Sequence, residues 1–163
     1  MPVFAAVPAV CPQFDSGVRH AMRILPLVLI LCAAPVLGQA APPLTGVVVA
    51  SVGSPAGLEQ IQTDQPATRR RHAPGPVTVV VHETGIGGSR VTLIDGEARQ
   101  IPSSTKPLCG SQLAAGACGP GQPIAGLEIS YRLGRIAPGQ TFTFRDRSAA
   151  SAGAPIETRI TIN

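Results

Sequence analysis

The sequence predicts an all-β protein: a small antiparallel β-sandwich of about seven strands behind an N-terminal signal peptide. Three observations carry that expectation. Apolar and polar residues alternate with a period of two in one segment after another. Gly and Pro number 18 and 17 in 163 residues, and they interrupt the chain too often for a helical bundle. Hydrophobic residues make up 44% of the chain and charged residues 13%, which excludes a polar disordered chain.

The leader comes first. Arg19 and Arg23 precede an apolar stretch from Ile24 to Leu37, and small residues follow at Gly38 and Ala40. A positive flank, a short apolar run and small residues two apart form a signal-peptide pattern. The run is shorter than the roughly 20 residues a spanning helix needs, and Pro26 and Pro35 interrupt it. This favours a removable leader over a buried core helix or a retained anchor. Cleavage is expected after Ala40, or alternatively after Gly38. Met22-Arg23 makes a more ordinary start than Met1, so residues 1–21 read as an upstream start assignment. Leu29-Ile30-Leu31-Cys32 loosely matches a lipoprotein box, but Leu31 stands where a small residue is required. Cys32 therefore reads as part of the apolar run, with lipidation as the alternative. The expected organisation is a leader over 1–40 and one domain over 41–163. The mature form is expected to be exported to the periplasm, cell surface or medium, without a transmembrane anchor.

Residues 41–163 carry eleven Lys and Arg against eight Asp and Glu, a net charge of +3. Most of that excess is the run Arg69-Arg70-Arg71, expected to be a solvated loop, with contact to an anionic surface as the sharper reading. Only three aromatic rings remain, Tyr131, Phe142 and Phe144. That is too few to stack bases along a basic face, so no nucleic-acid partner is expected. Cys109 and Cys118 are the two cysteines left after the leader. An exported pair is expected to oxidise, and closing the loop between them stabilises the fold by about 2–3 kcal/mol on the chain-entropy model. A zinc or redox pair would favour closer spacing and histidine nearby.

The elements follow in order. Ala41-Pro42-Pro43-Leu44 is a stiff lead-in, Val47–Val52 a strand, and residues 54–76 a long loop with a short strand or turn around Leu58–Ile61. Val77–Glu83 is the clearest strand, with Val77, Val79 and Val81 on one face and Thr78, Val80 and His82 on the other. Thr84–Ser89 reads as a flexible hairpin connection, and Arg90–Ile94 as the neighbouring strand. Asp95-Gly96 is a tight-turn dipeptide, after which Glu97–Ile101 returns as a short strand. Residues 102–126 form a Gly/Pro/Ala-rich excursion held by the expected disulfide. Leu127–Leu133 alternates strictly, with Leu127, Ile129, Tyr131 and Leu133 inward. Gln140–Asp146 turns Phe142 and Phe144 inward, and Ile156–Ile162 closes the chain with Ile156, Ile160 and Ile162 on one face. Strands of this number and spacing argue for a sandwich with an aliphatic core.

Two stretches, read together, resemble a known family. Val77–Gly85 followed by Arg90–Asp95 is similar to the opening strands of the conserved Ig-like repeat of bacterial surface and exported proteins. Leu133-Gly-Arg-Ile-Ala-Pro-Gly-Gln-Thr-Phe-Thr-Phe144 resembles the segment that carries that repeat between two strands. The resemblance covers about residues 77–162. It departs from the pattern at His82-Glu83, where the repeat has a polar Asn, and in the final strand. It implies an Ig-like sandwich with an adhesive, structural or spacer role and supplies no catalytic residues.

Candidate chemistry is sparse. His82-Glu83 pairs a histidine with an acid, but a base or metal role needs a third group, so an edge-of-strand surface pair is expected. Gly85-Ile86-Gly87-Gly88 lacks the Lys and helix of a phosphate cradle. Asp95 and Glu97 read as solvated turn acids, too few for calcium. No Gly-x-Ser-x-Gly elbow occurs. The expectation is an exported structural or binding module without catalytic activity, cofactor or metal. It would present loops 54–76 and 102–126 to a protein or cell-surface partner. One route to assembly of such a module is strand addition at the edge of Ile156–Ile162, and the alternative is a pilus-like or fibre subunit that donates Val47–Val52 to a neighbour. A small secreted hydrolase ranks last.

Overall fold

The computed structural model describes residues 41–163, apart from residues 112, 151 and 152. The expected leader over 1–40, with its start at Met22, its Cys32 and its cleavage after Ala40, lies outside the described residues. Ten strands follow in order: β1 (Gly46–Ser54), β2 (Gly57–Gln60), β3 (Gly75–Thr84), β4 (Val91–Ile94), β5 (Glu97–Ala98), β6 (Ser103–Cys109), β7 (Ala114–Ala115), β8 (Ile124–Ile136), β9 (Gln140–Asp146) and β10 (Ile156–Ile162). They form an all-β sandwich of two antiparallel sheets. One sheet has six strands in the order β2-β1-β3-β8-β6-β7, and the other has four in the order β10-β9-β4-β5.

Alternation sorts the side chains as the residue pattern requires. Val77, Val79 and Val81 of β3, Ile129 and Tyr131 of β8, Phe142 and Phe144 of β9 and Ile160 and Ile162 of β10 are all buried. Residue by residue these are the expected inward positions, because a period of two puts every second residue on one face. The three rings meet at the centre: Tyr131 lies 5.6 Å from Phe142 and 5.7 Å from Phe144, centroid to centroid. Aliphatic residues from both sheets surround them.

Two expectations are corrected. Arg90–Ile94 is not the neighbour of β3. β4 pairs with β9 and β5 in the other sheet, and β3 lies between β1 and β8. Residues 85–90 therefore cross between the sheets instead of closing a hairpin. The excursion 102–126 contains β6, β7 and the start of β8. Ser103–Lys106 of β6 is exposed throughout, so it lacks the apolar alternation by which strands are recognised. The loop 54–76 holds the expected short strand as β2 and is fastened to the chain end. Ala67 bridges Thr161, Thr68 N–H donates to Thr161 O at 2.9 Å, and Thr161 N–H donates to Pro66 O at 3.0 Å.

That fastening changes the edge at β10. Residue Thr161 turns its backbone groups outward, and so, two and four residues earlier, do Arg159 and Glu157. Residues 66–68 cover the first of these. The open remainder is short and carries two opposite charges, a combination that discourages strand addition.

Ile160 has no exposed surface. Ile160→Lys is expected to destabilise the fold by about 4 kcal/mol or more, since an unpaired charge enters the core. Chemical denaturation checks this, and an unchanged midpoint would remove β10 from the core.

Candidate functional site

Two buried acids lie where the chain crosses between the sheets. Glu83 sits near the end of β3 in the six-stranded sheet, and Asp146 ends β9 in the four-stranded sheet. Neither has exposed surface. Arg90, at the foot of β4, reaches both. Its Nε and Nη2 donate to the two Glu83 oxygens at 3.1 and 3.0 Å, and its Nε lies 3.4 Å from Asp146 Oδ2. Asp146 Oδ1 accepts backbone N–H groups of Ser89 at 2.8 Å and Arg147 at 2.6 Å. The carboxylate occupies the space a side chain would take at Gly87, so any Cβ there would fall on it. The Gly-rich connection is thus a seat for Asp146.

Two acids facing one guanidinium leave an excess negative charge without water. Burial pushes the Glu83 carboxyl up to about 7; Arg90 pulls it down and the neighbouring Asp146 pushes it up again. Below that pH Glu83 is held as the neutral acid and so has a proton to offer Asp146, the usual outcome for two close carboxyls. Asp146 Oδ2, which has no other hydrogen-bond partner among the described residues, needs such a donor. The expected surface pair His82-Glu83 is corrected here. β3 is a central strand, so Glu83 points into the interior while His82 points outward and meets Glu128 at 3.2 Å.

In front of this cluster the sheets part. An open cleft of about 380 Å³ runs between β4 and the following segment on one side and β6 and β8 on the other. Arg90, Val91, Arg99, Ile101, Ser103 and Tyr131 are among its walls. Arg90 is one-third exposed, and its Nη1 donates to nothing among the described residues. Burial pushes the Tyr131 phenol up to about 12, so it faces the cleft neutral. An apolar wall with a few convergent polar groups, backed by a titratable group shifted toward neutrality, can hold a small ligand.

A second polar cluster fastens the basic loop. Glu59 on β2 accepts from the backbone N–H of Arg69 and Arg70, each at 2.8 Å, from Gln65 Nε2 at 2.7 Å, and from His72 Nε2 at 3.2 Å. Burial pushes its carboxyl up, but these donors outweigh it and hold Glu59 down at about 2. An ionised carboxylate only accepts, so His72 Nε2–H is the donor to Glu59, and its Nδ1 hydrogen-bonds the Ser54 hydroxyl at 2.9 Å. Ser54 and Glu59 pair with neighbouring positions on β1 and β2 and share the inner face, so the three groups form a latch beneath the loop.

The expected site residues fall as follows. Cys109 and Cys118 are joined in a disulfide, Cα to Cα 5.3 Å. Arg69, Arg70 and Arg71 are exposed as expected, but the first two are held by their backbones to Glu59, and the Arg69 side chain donates to Gln62 at 2.9 Å. They lie apart from the cleft. Asp95 is exposed at its turn and accepts from Thr141 N–H at 2.7 Å. Among the described residues no three His, Cys, Asp or Glu are placed to hold a metal. Arg90, Asp146, His72 and Glu59 escape sequence reasoning because their partners lie in distant segments. A Glu at an inward position of a strand was the one available signal.

The two shifted acids set opposite pH limits. Glu59, held low, contributes stability that is complete above its ordinary value of 4.5 and is lost as the pH falls toward 2. Glu83, held high, contributes stability that is complete below 4.5 and is lost as the pH rises toward 7. Each limb amounts to about 3 kcal/mol. Stability measured by urea titration is therefore expected to peak near pH 4.5–5. Glu83→Gln is expected to flatten the decline between pH 5 and 7; a decline unaltered by that change would contradict the buried acid pair.

Comparison with curated proteins and with solved structures gives no match. Residues 34–162 match a family model described as a domain of unknown function, DUF4879, and the chain belongs to that family.

Proposed function

We propose that this protein is an exported, Ig-like binding module of the periplasm or cell surface, with the cleft between its sheets as the binding site and no catalytic activity. The observation that carries this reading is the Glu83–Arg90–Asp146 cluster behind the cleft. Burying three ionisable groups is costly, and an apolar set of similar volume would hold two sheets together as well or better. A half-buried Arg90 with an unengaged nitrogen at the cleft wall is an arrangement that serves a ligand. The disulfide and the apolar Ile24–Leu37 segment support an oxidising destination. The pilus-like alternative has less support, because β1, the strand it would donate, pairs with β2 and β3 of its own chain.

Sedimentation with isolated cell-envelope fragments tests the reading. Ala98 lines the cleft and is exposed, so Ala98→Trp fills the cleft without entering the core. The wild type is expected to co-sediment and Ala98→Trp to bind at least fivefold less. Equal binding by the two proteins would exclude the cleft.

A further inference from the structure

Beyond the cleft, past residues 99–101, the surface folds into a second and smaller concavity of about 210 Å³. Three arginines line it: Arg99, Arg132 and Arg135, with Gln100 and Gln140 beside them. Arg99 lies 3.4 Å from Glu97. Arg132 and Arg135 have no acid within ion-pair distance among the described residues. Asp95, which the Gln140 amide reaches, accepts from that amide at 2.9 Å and from Thr141 N–H at 2.7 Å.

The backbone brings the two unpaired arginines together. Residues three apart on a regular strand point to opposite faces. Here the β3–β8 ladder slips: Val77 faces Gly134, and Thr78 faces Arg132, so β8 holds one extra residue. Gly134 sits at φ +70°, the left-handed conformation of a bulge residue. The bulge turns Arg135 so that it lines the same hollow as Arg132. A bulge that gathers like charges opposes stability unless something neutralises them.

We propose that this hollow binds a phosphoryl group. A planar guanidinium donates in a fork that fits phosphate and carboxylate alike. The choice between them follows from charge. Arg99 has Glu97 beside it, which leaves two unpaired guanidinium groups; these exceed a single carboxylate, whereas a phosphoryl group brings close to two negative charges and three acceptor oxygens. The hollow is smaller than a pocket for a whole drug-sized molecule, so it takes a head group while the rest of the ligand remains outside. The hollow shares the wall of residues 99–101 with the cleft, but Arg132 and Arg135 line the hollow and not the cleft.

Calorimetric titration of the mature protein with glucose 1-phosphate, inorganic phosphate and glucose tests the site, together with flotation on phosphatidylglycerol and phosphatidylcholine vesicles. Saturable binding of glucose 1-phosphate but not of glucose is expected. Arg132→Ala/Arg135→Ala, both exposed positions, is expected to weaken it at least tenfold. Arg71→Ala/Arg159→Ala removes equal charge elsewhere and is expected to change it less than twofold. Ala98→Trp, which blocks only the cleft, is expected to leave it unchanged. Equal affinity for inorganic phosphate identifies free phosphate as sufficient, and binding confined to phosphatidylglycerol vesicles identifies a lipid head group. Absence of saturable binding to every probe, or equal loss in the two double variants, overturns the proposal.

Discussion

A guanidinium wedged between two carboxyls that no water reaches is the constraint around which the rest of the molecule is arranged. Glu83 comes from one sheet, Asp146 from the other, and Arg90 from the segment that passes between them. Hydrophobic contact tolerates small shifts of one sheet over the other, but a hydrogen-bonded charge cluster does not. Shifting either sheet by one residue's length would draw one carboxyl away from Arg90 and leave the guanidinium half-paired inside. The cluster therefore fixes how the two layers face each other. It also determines where they part, since a polar group at the sheet boundary leaves room in front for the cleft.

The same logic holds the loops. Residues 66–72 contain no apolar alternation and three consecutive arginines, which alone would leave them in solvent. Glu59 gathers their backbone donors, and His72 and Ser54 complete the latch on the inner face of the β1–β2 hairpin. The chain end joins in, with His72 and Ala73 N–H donating to Asn163 O and Thr68 bonding Asn163. A polar segment thus covers part of an edge that would otherwise be open to pairing.

Most of the sandwich was legible in the sequence, because its evidence is local. Val77–Val81, Leu127–Leu133 and Phe142–Phe144 declare their buried faces by alternation, and the disulfide follows from two cysteines in a chain expected to be exported. What was not legible depends on partners far apart in sequence. β6 carries Ser-Ser-Thr-Lys on both exposed faces and looks like loop. The pairing of β4 with β9 instead of β3 joins residues about fifty positions apart. Glu83 and Asp146 each look like ordinary surface acids until a third residue, Arg90, brings them into one cluster. Arg132 and Arg135 appear to face opposite ways until the bulge is seen.

The Ig-like resemblance expected for residues 77–162 and the family to which residues 34–162 belong bear on different questions. The first describes strand patterns, and the second carries no stated activity. The physical account rests on the interior acid pair, and its most direct measurement is the side-chain carboxyl carbon of Glu83, followed by NMR against pH in selectively labelled protein. The account predicts a titration centred near 7, well above an ordinary glutamate, together with a midpoint that falls in Asp146→Asn as the neighbouring charge is removed. A midpoint near 4.5 in the wild type would contradict it.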